Sequence, residues 1–172
     1  MKSVSLYVPK IKDFWFRQRC MQDPETMNYN AGYDICFSGY HYDTGCIDFP
    51  KSEWQKFEEK LKNPNFFYAY IVDEKTKEFV GYLNFNKRDD GSATMGIVIF
   101  SKFRGQGFMR PAISALFEKA KEKGVKVLTD TVPASRENAL KVFFDFGFKK
   151  VDVFKSKKFN DNETVFQIEK TL

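Results

Sequence analysis

Alternating and helical patterns of apolar residues predict the first elements of the chain. Residues 3–8 alternate loosely between apolar and polar, which predicts a strand. Residues 10–22 carry apolar side chains at helical spacing, and Pro24 favours an end to that helix. Residues 25–49 show no period and are rich in Tyr, Gly, Asp and Cys, so we expect a long loop whose aromatic content argues against disorder. Two hypotheses stay equally open: a loop that shapes a ligand pocket, and packed tyrosines without a ligand role.

A second helix is predicted to begin near Ser52 and to stop before Pro64. Ser52 and Gln55 have the spacing of a capping box, and three apolar residues then recur on one helix face. Those three residues are Trp54, Phe57 and Leu61.

Three strand-like runs separated by turn sequences predict an antiparallel meander. The runs are Phe66–Val72, Glu78–Asn86 and Thr94–Phe100. The segments between them, at 73–77 and 89–92, are rich in the residue types that favour tight turns. We therefore expect three neighbouring strands joined by hairpins.

The following segment alternates helix and strand. Residues 112–123 place apolar side chains on one helix face, and Gly124 suits the position just after a helix. Residues 125–132 are apolar for most of their length, which predicts a strand buried on both faces and hence parallel to a neighbour. The expected arrangement is a helix that crosses over to a parallel strand.

The last elements are a helix and a closing hairpin. Ser135 is expected to cap the helix, and residues 148–154 and 163–168 alternate around the turn at 160–162. The predicted order is β-α-α-β-β-β-α-β-α-β-β. Because no repeat, low-complexity tract or linker interrupts it, we predict a single domain over residues 1–172.

The composition fits a folded protein with an anionic ligand. Of 172 residues 42% are hydrophobic and 20 are Phe, which is ample material for a core. The longest apolar run, residues 66–72, is far shorter than the ~20 residues of a bilayer span, and the first residues are too polar for a signal peptide. We expect a cytoplasmic protein without a membrane partner. The net charge of +5 suits an anion, while the scattered lysines favour solvated surfaces over a nucleic-acid site.

Cysteine and histidine usage argues against a metal site. Cys20, Cys36 and Cys46 form no C-x-x-C pair, which is typical of free thiols in a reducing compartment. His41 is the only histidine, so a histidine-based zinc site has too few ligands. We expect no metal cofactor.

A glycine-rich stretch, Phe103–Pro111, lies between a predicted strand and a predicted helix. Gly105 and Gly107 lack a Cβ, so the loop can adopt positive φ and let an anion approach its backbone. The first N–H groups of the helix have no partner within it and carry partial positive charge. Arg104 and Arg110 add formal charge. This stretch predicts a phosphate-binding loop.

The loop and its surroundings resemble the GNAT superfamily of N-acetyltransferases. Their signature is Arg/Gln-x-x-Gly-x-Gly/Ala after a strand, and here Arg104-x-x-Gly107 fits while Met109 replaces the last small residue. Ala139-Leu140 and Gly147-Phe148 extend the resemblance, which covers residues 66–150. It implies an α/β (α+β) fold with a mixed, mostly antiparallel central sheet that is splayed between its fourth and fifth strands and flanked by helices.

The resemblance also implies an acetyl-CoA-dependent N-acetyltransferase. The acetyl group would pass from acetyl-CoA to a primary amine of a small-molecule or peptide acceptor; a homodimer stays open. The implied cofactor-binding residues lie on the strand before the loop, in the loop itself, and in the following helix. They are Ile97, Val98, Ile99, Arg104, Gly105, Gln106, Gly107, Phe108, Met109 and Asn138.

An attacking amine must first lose a proton, so a base or a water chain is needed. The strand 94–100 has no carboxylate, and Asp130 on the next strand is our preferred candidate for the base. A satisfied turn or cap residue is an equally good interpretation of Asp130. Four side chains of the 25–49 loop are alternative bases: Asp34, His41, Asp43 and Asp48.

The expected general acid is missing from its family position. Many GNAT members carry a Tyr four residues before Gly-Phe, and this chain has Phe143 there. The frequent Asn seven residues earlier is Arg136, with Asn138 two residues later. Either water or a tyrosine of the loop, with Tyr33 as the preferred candidate, would then supply the proton.

Two other functions compete with acetyl transfer. A non-catalytic acyl-CoA-binding or sensor protein is favoured by Phe143. A dinucleotide-binding module is suggested by Gly105-x-Gly107 with Asp130 about 20 residues later, but the third glycine position holds Arg110.

Overall fold

A computed structural model describes residues 2–172, whose strands form a seven-stranded sheet. The strand order is β1-β2-β3-β4-β5-β7-β6, and every neighbouring pair is antiparallel except β4 and β5. This mixed, mostly antiparallel sheet confirms the expected fold class. The strands are β1 Val4–Tyr7, β2 Phe66–Asp73, β3 Phe79–Lys87, β4 Ser92–Ile99, β5 Val127–Pro133, β6 Lys149–Lys158 and β7 Asp161–Thr171.

Helices cover both faces of the sheet. One apolar cluster joins the sheet to α4 and α5, and a second, mainly aromatic cluster joins the opposite face to α1 and α3. Period-2 alternation in β2 sends Ala69 and Ile71 to the first cluster and Tyr68 and Tyr70 to the second. The helices are α1 Trp15–Gln22, α2 Pro24–Met27, α3 Trp54–Leu61, α4 Met109–Glu122 and α5 Glu137–Asp145.

The parallel pair β4 and β5 separates soon after it begins. Its register holds for three pairs, at Ser92, Ala93 and Thr94 of β4. Beyond Thr94, β4 stays paired with β3 up to Ile99, and β5 stays paired with β7 up to Pro133. The expected splay between the fourth and fifth strands is therefore present, and it opens toward the carboxyl ends of both strands.

The predicted helix ends before Pro24, as expected, and Pro24 also begins the next helix. The predicted helix at 10–22 is a 3₁₀ turn, Ile11–Asp13, followed by α1, and Pro24 then occupies the first position of α2. The Asp23 side chain accepts a hydrogen bond from the Thr26 N–H and caps this short helix. A proline at the first helical position loses no hydrogen bond, so it can open a helix as readily as follow one.

Two predicted caps are absent and one is present. Neither Ser52 nor Ser135 caps a helix: α3 follows a 3₁₀ turn and begins after Glu53, α5 begins after Arg136, and neither start has a side-chain cap. In each case the serine lies outside the capping position. Gly124 has φ +72° directly after the end of α4, as predicted, and its N–H donates to the Lys121 carbonyl.

The 25–49 loop rests on the closing hairpin. The Phe159 N–H donates to the Gly32 carbonyl at 2.7 Å, and the Tyr42 and Phe159 rings meet edge to face. A Cβ on Gly32 would lie 2.4 Å from the Phe159 ring, so the close approach requires glycine. This contact places the loop tyrosines beside β6 and β7.

In the part of the chain that the structure describes, no helix is both long and apolar enough to cross a bilayer. Within residues 2–172, no three His, Cys, Asp or Glu side chains are grouped so that they could hold a metal ion.

Candidate active site

A cavity of about 1030 Å³ occupies the splay between β4 and β5. Its walls are the separated part of β4, the glycine loop with the first turn of α4, the end of β5 and the start of α5. Tyr29, Asn30 and Tyr33 of the loop close one end together with Phe154 and Val165 of the hairpin. The cavity therefore joins the glycine loop to the tyrosine-rich loop.

The β4 wall offers backbone groups to a ligand. Ile97, Val98 and Ile99 all line the cavity, and each is paired with β3 on its other side. Because the partner strand has left, alternate N–H and C=O groups of this segment face the opening instead of a strand. Such an open edge can pair with an amide-containing ligand without special side chains.

The glycine loop leaves open space in front of its backbone. Gly105 and Gly107 have φ values of +72° and +86°. A Cβ on Gly105 would meet no atom within 4 Å, and one on Gly107 would meet only Lys2 Cγ at 3.9 Å. The start of α4, after Phe108, has no side-chain cap, so its first N–H groups are free for an anion.

The side chain of Arg104 is committed to the protein backbone. Its guanidinium donates to the carbonyls of Ile99 at 3.2 Å, Glu25 at 2.8 Å and Thr26 at 2.7 Å. Burial lowers the pKa of Arg104, and the nearby Arg136 charge lowers it further. Arg104 lines the cavity, but its hydrogen bonds hold the glycine loop against α2.

The other predicted cofactor residues divide into two groups. Phe108, Met109 and Asn138 line the cavity. Gln106 does not line it, and its Nε2 donates to the Lys102 carbonyl at 2.9 Å, which closes the loop on itself.

Asp130 lies in the cavity wall on β5. One carboxylate oxygen accepts the Thr131 N–H at 2.8 Å. Burial raises the pKa of Asp130 to about 7, although this hydrogen bond and the Arg136 charge act in the opposite direction. A carboxyl group with that pKa can both accept and release a proton near neutral pH.

The loop tyrosines differ in their hydrogen-bond partners and in whether they line the cavity. The Tyr33 hydroxyl donates to Glu163 Oε2 at 2.5 Å, and burial together with this bond raises its pKa. Burial also raises the pKa of Tyr29, while Tyr82 and the Arg136 charge partly offset it. Tyr40 and Tyr42 lie outside the cavity wall, and the Tyr40 hydroxyl donates to the Asn30 carbonyl.

The alternative bases of the loop do not line the cavity; they are Asp34, His41, Asp43 and Asp48. His41 Nε2 lies 2.9 Å from Asp48 Oδ1 in an exposed pair. Among the candidate bases, only Asp130 therefore lies in the cavity wall.

Phe143 belongs to the core. It is 4% exposed and packs edge to face on Phe148, while its neighbour Val142 lines the cavity. Sequence reasoning did not single out Tyr29 and noted Arg136 only as a departure from the family pattern; the two side chains stack, with the Arg136 Cζ 5.4 Å from the ring centroid. Arg136 could have been found, because it stands where the family often has Asn.

Comparison with known proteins identifies one family. The sequence model for the acetyltransferase (GNAT) domain matches residues 9–149. An uncharacterized N-acetyltransferase of Bacillus subtilis (strain 168), YycN, is 33% identical over 60 residues, or 35% of this chain. The chain spans 38% of the length of this curated relative.

Solved structures share the fold over nearly the whole chain. Spermidine N-acetyltransferase from Vibrio cholerae, in complex with CoA and spermine, has a TM-score of 0.79 at 14% identity and covers 98% of this chain and 95% of its own. Ribosomal-protein-alanine N-acetyltransferase from Brucella melitensis has a TM-score of 0.73 at 18% identity, with 98% and 99% covered. At such identities the likeness concerns the fold alone. The family match over residues 9–149, together with this fold, shows that the chain belongs to the GNAT family of acetyltransferases.

Proposed function

We propose that this protein is an acetyl-CoA-dependent N-acetyltransferase that acts on a primary amine of a small molecule or peptide. The observation that carries the proposal is a single cavity with an anion-ready glycine loop at one end and Asp130, with a pKa of about 7, in its wall. The V. cholerae relative, whose structure contains CoA and spermine, supports an acyl-CoA cosubstrate and an amine acceptor.

The residues present fit acetyl-CoA. The space that a Cβ would fill at Gly105 and Gly107 suits phosphate oxygens, and the N–H groups at the start of α4 would bind them. Arg110 lies beside this space, and the edge at Ile97–Ile99, which has no partner strand and whose Ile99 carbonyl already accepts from Arg104, would bind the amides of the pantetheine arm. Asn138, in the first turn of α5, would add a side-chain contact. When bound, acetyl-CoA supplies the acetyl group as a thioester.

Asp130 would hold the proton that the acceptor must lose. An ammonium ion cannot attack a carbonyl carbon, because its nitrogen has no free electron pair. The ionised Asp130 carboxylate would accept the proton from the acceptor nitrogen, directly or through one water. Since its pKa is about 7, the carboxylate form grows as the pH rises through neutrality, and activity is expected to rise with it.

A tyrosine of the loop would supply a proton at the end of the reaction. Tyr33 Oη keeps its own proton in a hydrogen bond to Glu163. Tyr29 lies in the same wall, and although burial raises the pKa of its hydroxyl, Tyr82 and the Arg136 charge partly offset that rise. We therefore rank Tyr29 ahead of Tyr33 as the proton donor, with water as the alternative that needs no residue.

One experiment tests the function and its main alternative. Purified protein with acetyl-CoA is offered a panel of amines and peptides, and the released CoA thiol is measured. Turnover on any amine supports the proposal. Thermal unfolding is followed in parallel, because a ligand at a hundredfold excess over its Kd stabilises a folded protein by about 2.7 kcal/mol.

The alternative of a non-catalytic acyl-CoA-binding protein is favoured by the burial of Phe143 in the core. Stabilisation by acetyl-CoA without thiol release on any amine would establish it. Stabilisation by NAD and not by acetyl-CoA would contradict both, and would favour the dinucleotide-binding interpretation despite the mostly antiparallel sheet.

A further inference from the structure

Arg17 of α1 is a half-buried cation in an aromatic cage. Its Cζ lies 4.3 Å from the ring centroid of Phe57, 5.0 Å from Phe49 and 5.1 Å from Tyr68. Among the described residues no carboxylate forms an ion pair with it. Its Nε and the Tyr68 hydroxyl are both shut off from solvent and lack a hydrogen-bond partner. Aromatic faces recover only part of the cost of burying such a charge.

Three other arginines of the chain form hydrogen bonds or ion pairs with protein groups. Arg104 donates to three carbonyls, Arg110 pairs with Asp145, and Arg88 donates to Ser92 and Thr94. Arg17 differs because, among the described residues, its guanidinium forms no ion pair and its Nε has no hydrogen-bond partner. Only its Nε is both buried and unpartnered, so the two Nη groups keep access to solvent on the open side of the cage.

The cage lies next to the acceptor end of the cavity. Tyr82 of β3, whose ring centroid is 5.9 Å from Arg17 Cζ, pairs in register with Val98 of the cavity wall. Arg17 itself does not line the cavity, so only an acceptor that extends past the β4 wall can reach its guanidinium. The Arg17 charge also lowers the pKa of Tyr29, which burial raises, and this places Arg17 near that end of the cavity.

A second cation lies near Arg17. Burial lowers the pKa of Lys60 of α3, and the Arg17 charge lowers it further, so the two positive groups repel each other. The Lys60 Nζ lies 4.4 Å from the Phe66 ring centroid, and among the described residues no carboxylate forms an ion pair with it. Two cations without an acid between them favour an anionic ligand.

We propose that Arg17 binds a carboxylate of the acceptor, so that the acceptor is an amine that also carries a carboxylate several bonds away. This inference rests on the proposed acetyltransferase function and names its substrate class. An arginine fork held by aromatic rings binds a carboxylate through two parallel hydrogen bonds.

The cavity has too few acidic side chains to match the positive charges of a polyamine acceptor. Within residues 2–172, Asp130 and Glu137 are the acidic side chains that line the cavity. Glu163, close by, already accepts the Tyr33 hydroxyl. A polyamine carries several positive charges and would meet Arg17 and Lys60 without matching carboxylates.

The test compares amines of equal length that differ at the far end. The probes are 4-aminobutanoate, 5-aminopentanoate and 6-aminohexanoate, the diamines of the same chain lengths, and the matching alkylamines. We expect at least one amino acid to exceed its diamine and alkylamine partners tenfold or more in kcat/KM. In Arg17→Met this preference should fall at least tenfold, chiefly through KM, and Arg17→Lys should retain part of it.

Arg19→Met is the matched control on the same helix. Arg19 is exposed and lies against Phe100, away from the rings that surround Arg17, so its loss should leave the preference unchanged. Diamines that match or exceed the amino acids would overturn the inference, as would an Arg17→Met variant that keeps the preference. If Arg17→Met fails to fold, a full preference in Arg17→Lys with parental KM overturns it.

Binding separates this inference from the proposed function. If no amine releases CoA although acetyl-CoA binds, the proposed function fails. Calorimetric titration of 5-aminopentanoate into CoA-saturated protein then decides the inference, because binding needs no turnover. Binding that Arg17→Met weakens tenfold or more supports the carboxylate site; no binding, or equal binding to both proteins, overturns it.

Discussion

The two ends of the cavity present different chemical groups to a ligand. The cofactor end, formed by Ile97–Ile99 and the glycine loop, presents mainly backbone groups. The acceptor end presents side chains from distant segments, as in the hydrogen bond between Tyr33 and Glu163 across 130 positions. A backbone site needs only local geometry, which glycines and strand ends encode in a short stretch. A side-chain site exists only after the whole chain has folded, so it can vary without disturbing the cofactor end.

The largest expected effect is at the cofactor end. Gly107→Val should abolish acetyl-CoA binding, because its side chain would enter the open space before α4 and strain a residue with φ +86°. Calorimetry or acetyl-CoA-dependent thermal stabilisation measures the loss.

Gly124→Val is the control at the other end of the same helix. Gly124 has φ +72°, so the backbone strain is comparable, of order 1–3 kcal/mol, but the residue lies outside the cavity wall. We expect lower stability with unchanged acetyl-CoA affinity. Equal affinity in Gly107→Val and the parent protein would show that phosphate does not bind at this loop.

The next effect is at Asp130, where the two ends meet. Asp130→Asn should lower kcat/KM by roughly 10²–10⁴-fold and remove the rise of activity with pH through about 7. The control is Asp152→Asn, because Asp152 also accepts the N–H of the following residue at 2.8 Å but lies outside the cavity. A parental pH profile in Asp130→Asn would contradict the role of a base.

Asp130→Asn, which should lower activity, should raise stability above neutral pH. The folded-state pKa of Asp130, about 7, lies above its unfolded value of about 3.9, so the fold favours the protonated form. The free energy of unfolding therefore falls as the pH rises from about 4 to 7, and above 7 the loss is complete. Urea unfolding at pH 8 should find Asp130→Asn more stable than the parent protein.

A smaller effect is expected at the acceptor end. Tyr29→Phe should lower kcat about tenfold with little change in acetyl-CoA affinity, and Tyr33→Phe should have a weaker effect because its hydroxyl is held by Glu163. Tyr42→Phe is the control, since Tyr42 packs on Phe159 away from the cavity. If all three variants turn over at the parental rate, water is the proton source.

The smallest effect on activity is expected at Phe143. Phe143→Tyr restores the residue that the family often has, yet the new hydroxyl would lie in a core position that is 4% exposed. We expect parental kcat and a stability loss of about 1–3 kcal/mol from the buried hydroxyl. A clear rise in kcat would show that the hydroxyl reaches the cavity and that α5 can turn to present it.

The fold was predictable because its signals are local. Alternation predicted the meander, the buried run at 125–132 predicted the parallel partner of β4, and Gly124 predicted the end of α4. The failures at Ser52 and Ser135 share a cause: a cap depends on where the first helical turn begins, and one residue of shift removes it.

The acceptor end was predictable only in part. The loop at 25–49 was expected, but nothing in its sequence distinguishes Tyr29, which lines the cavity, from Tyr42, which packs on the hairpin. That difference is set by the contact of Gly32 with Phe159, more than a hundred positions away. The cage around Arg17 was likewise hidden, because its rings come from one helix, the loop before it and two strands.

The hydrogen bonds of Arg104 have a consequence for how the binding of one ligand affects that of the other. The residue that begins the glycine loop donates to the carbonyls of Glu25 and Thr26, four and three positions before Tyr29. The Ser101 hydroxyl donates to Asp23 at 2.6 Å and joins the same two segments. A cosubstrate that immobilises the loop therefore also immobilises the segment leading to Tyr29, and linkage makes the effect reciprocal. We expect each ligand to tighten the binding of the other.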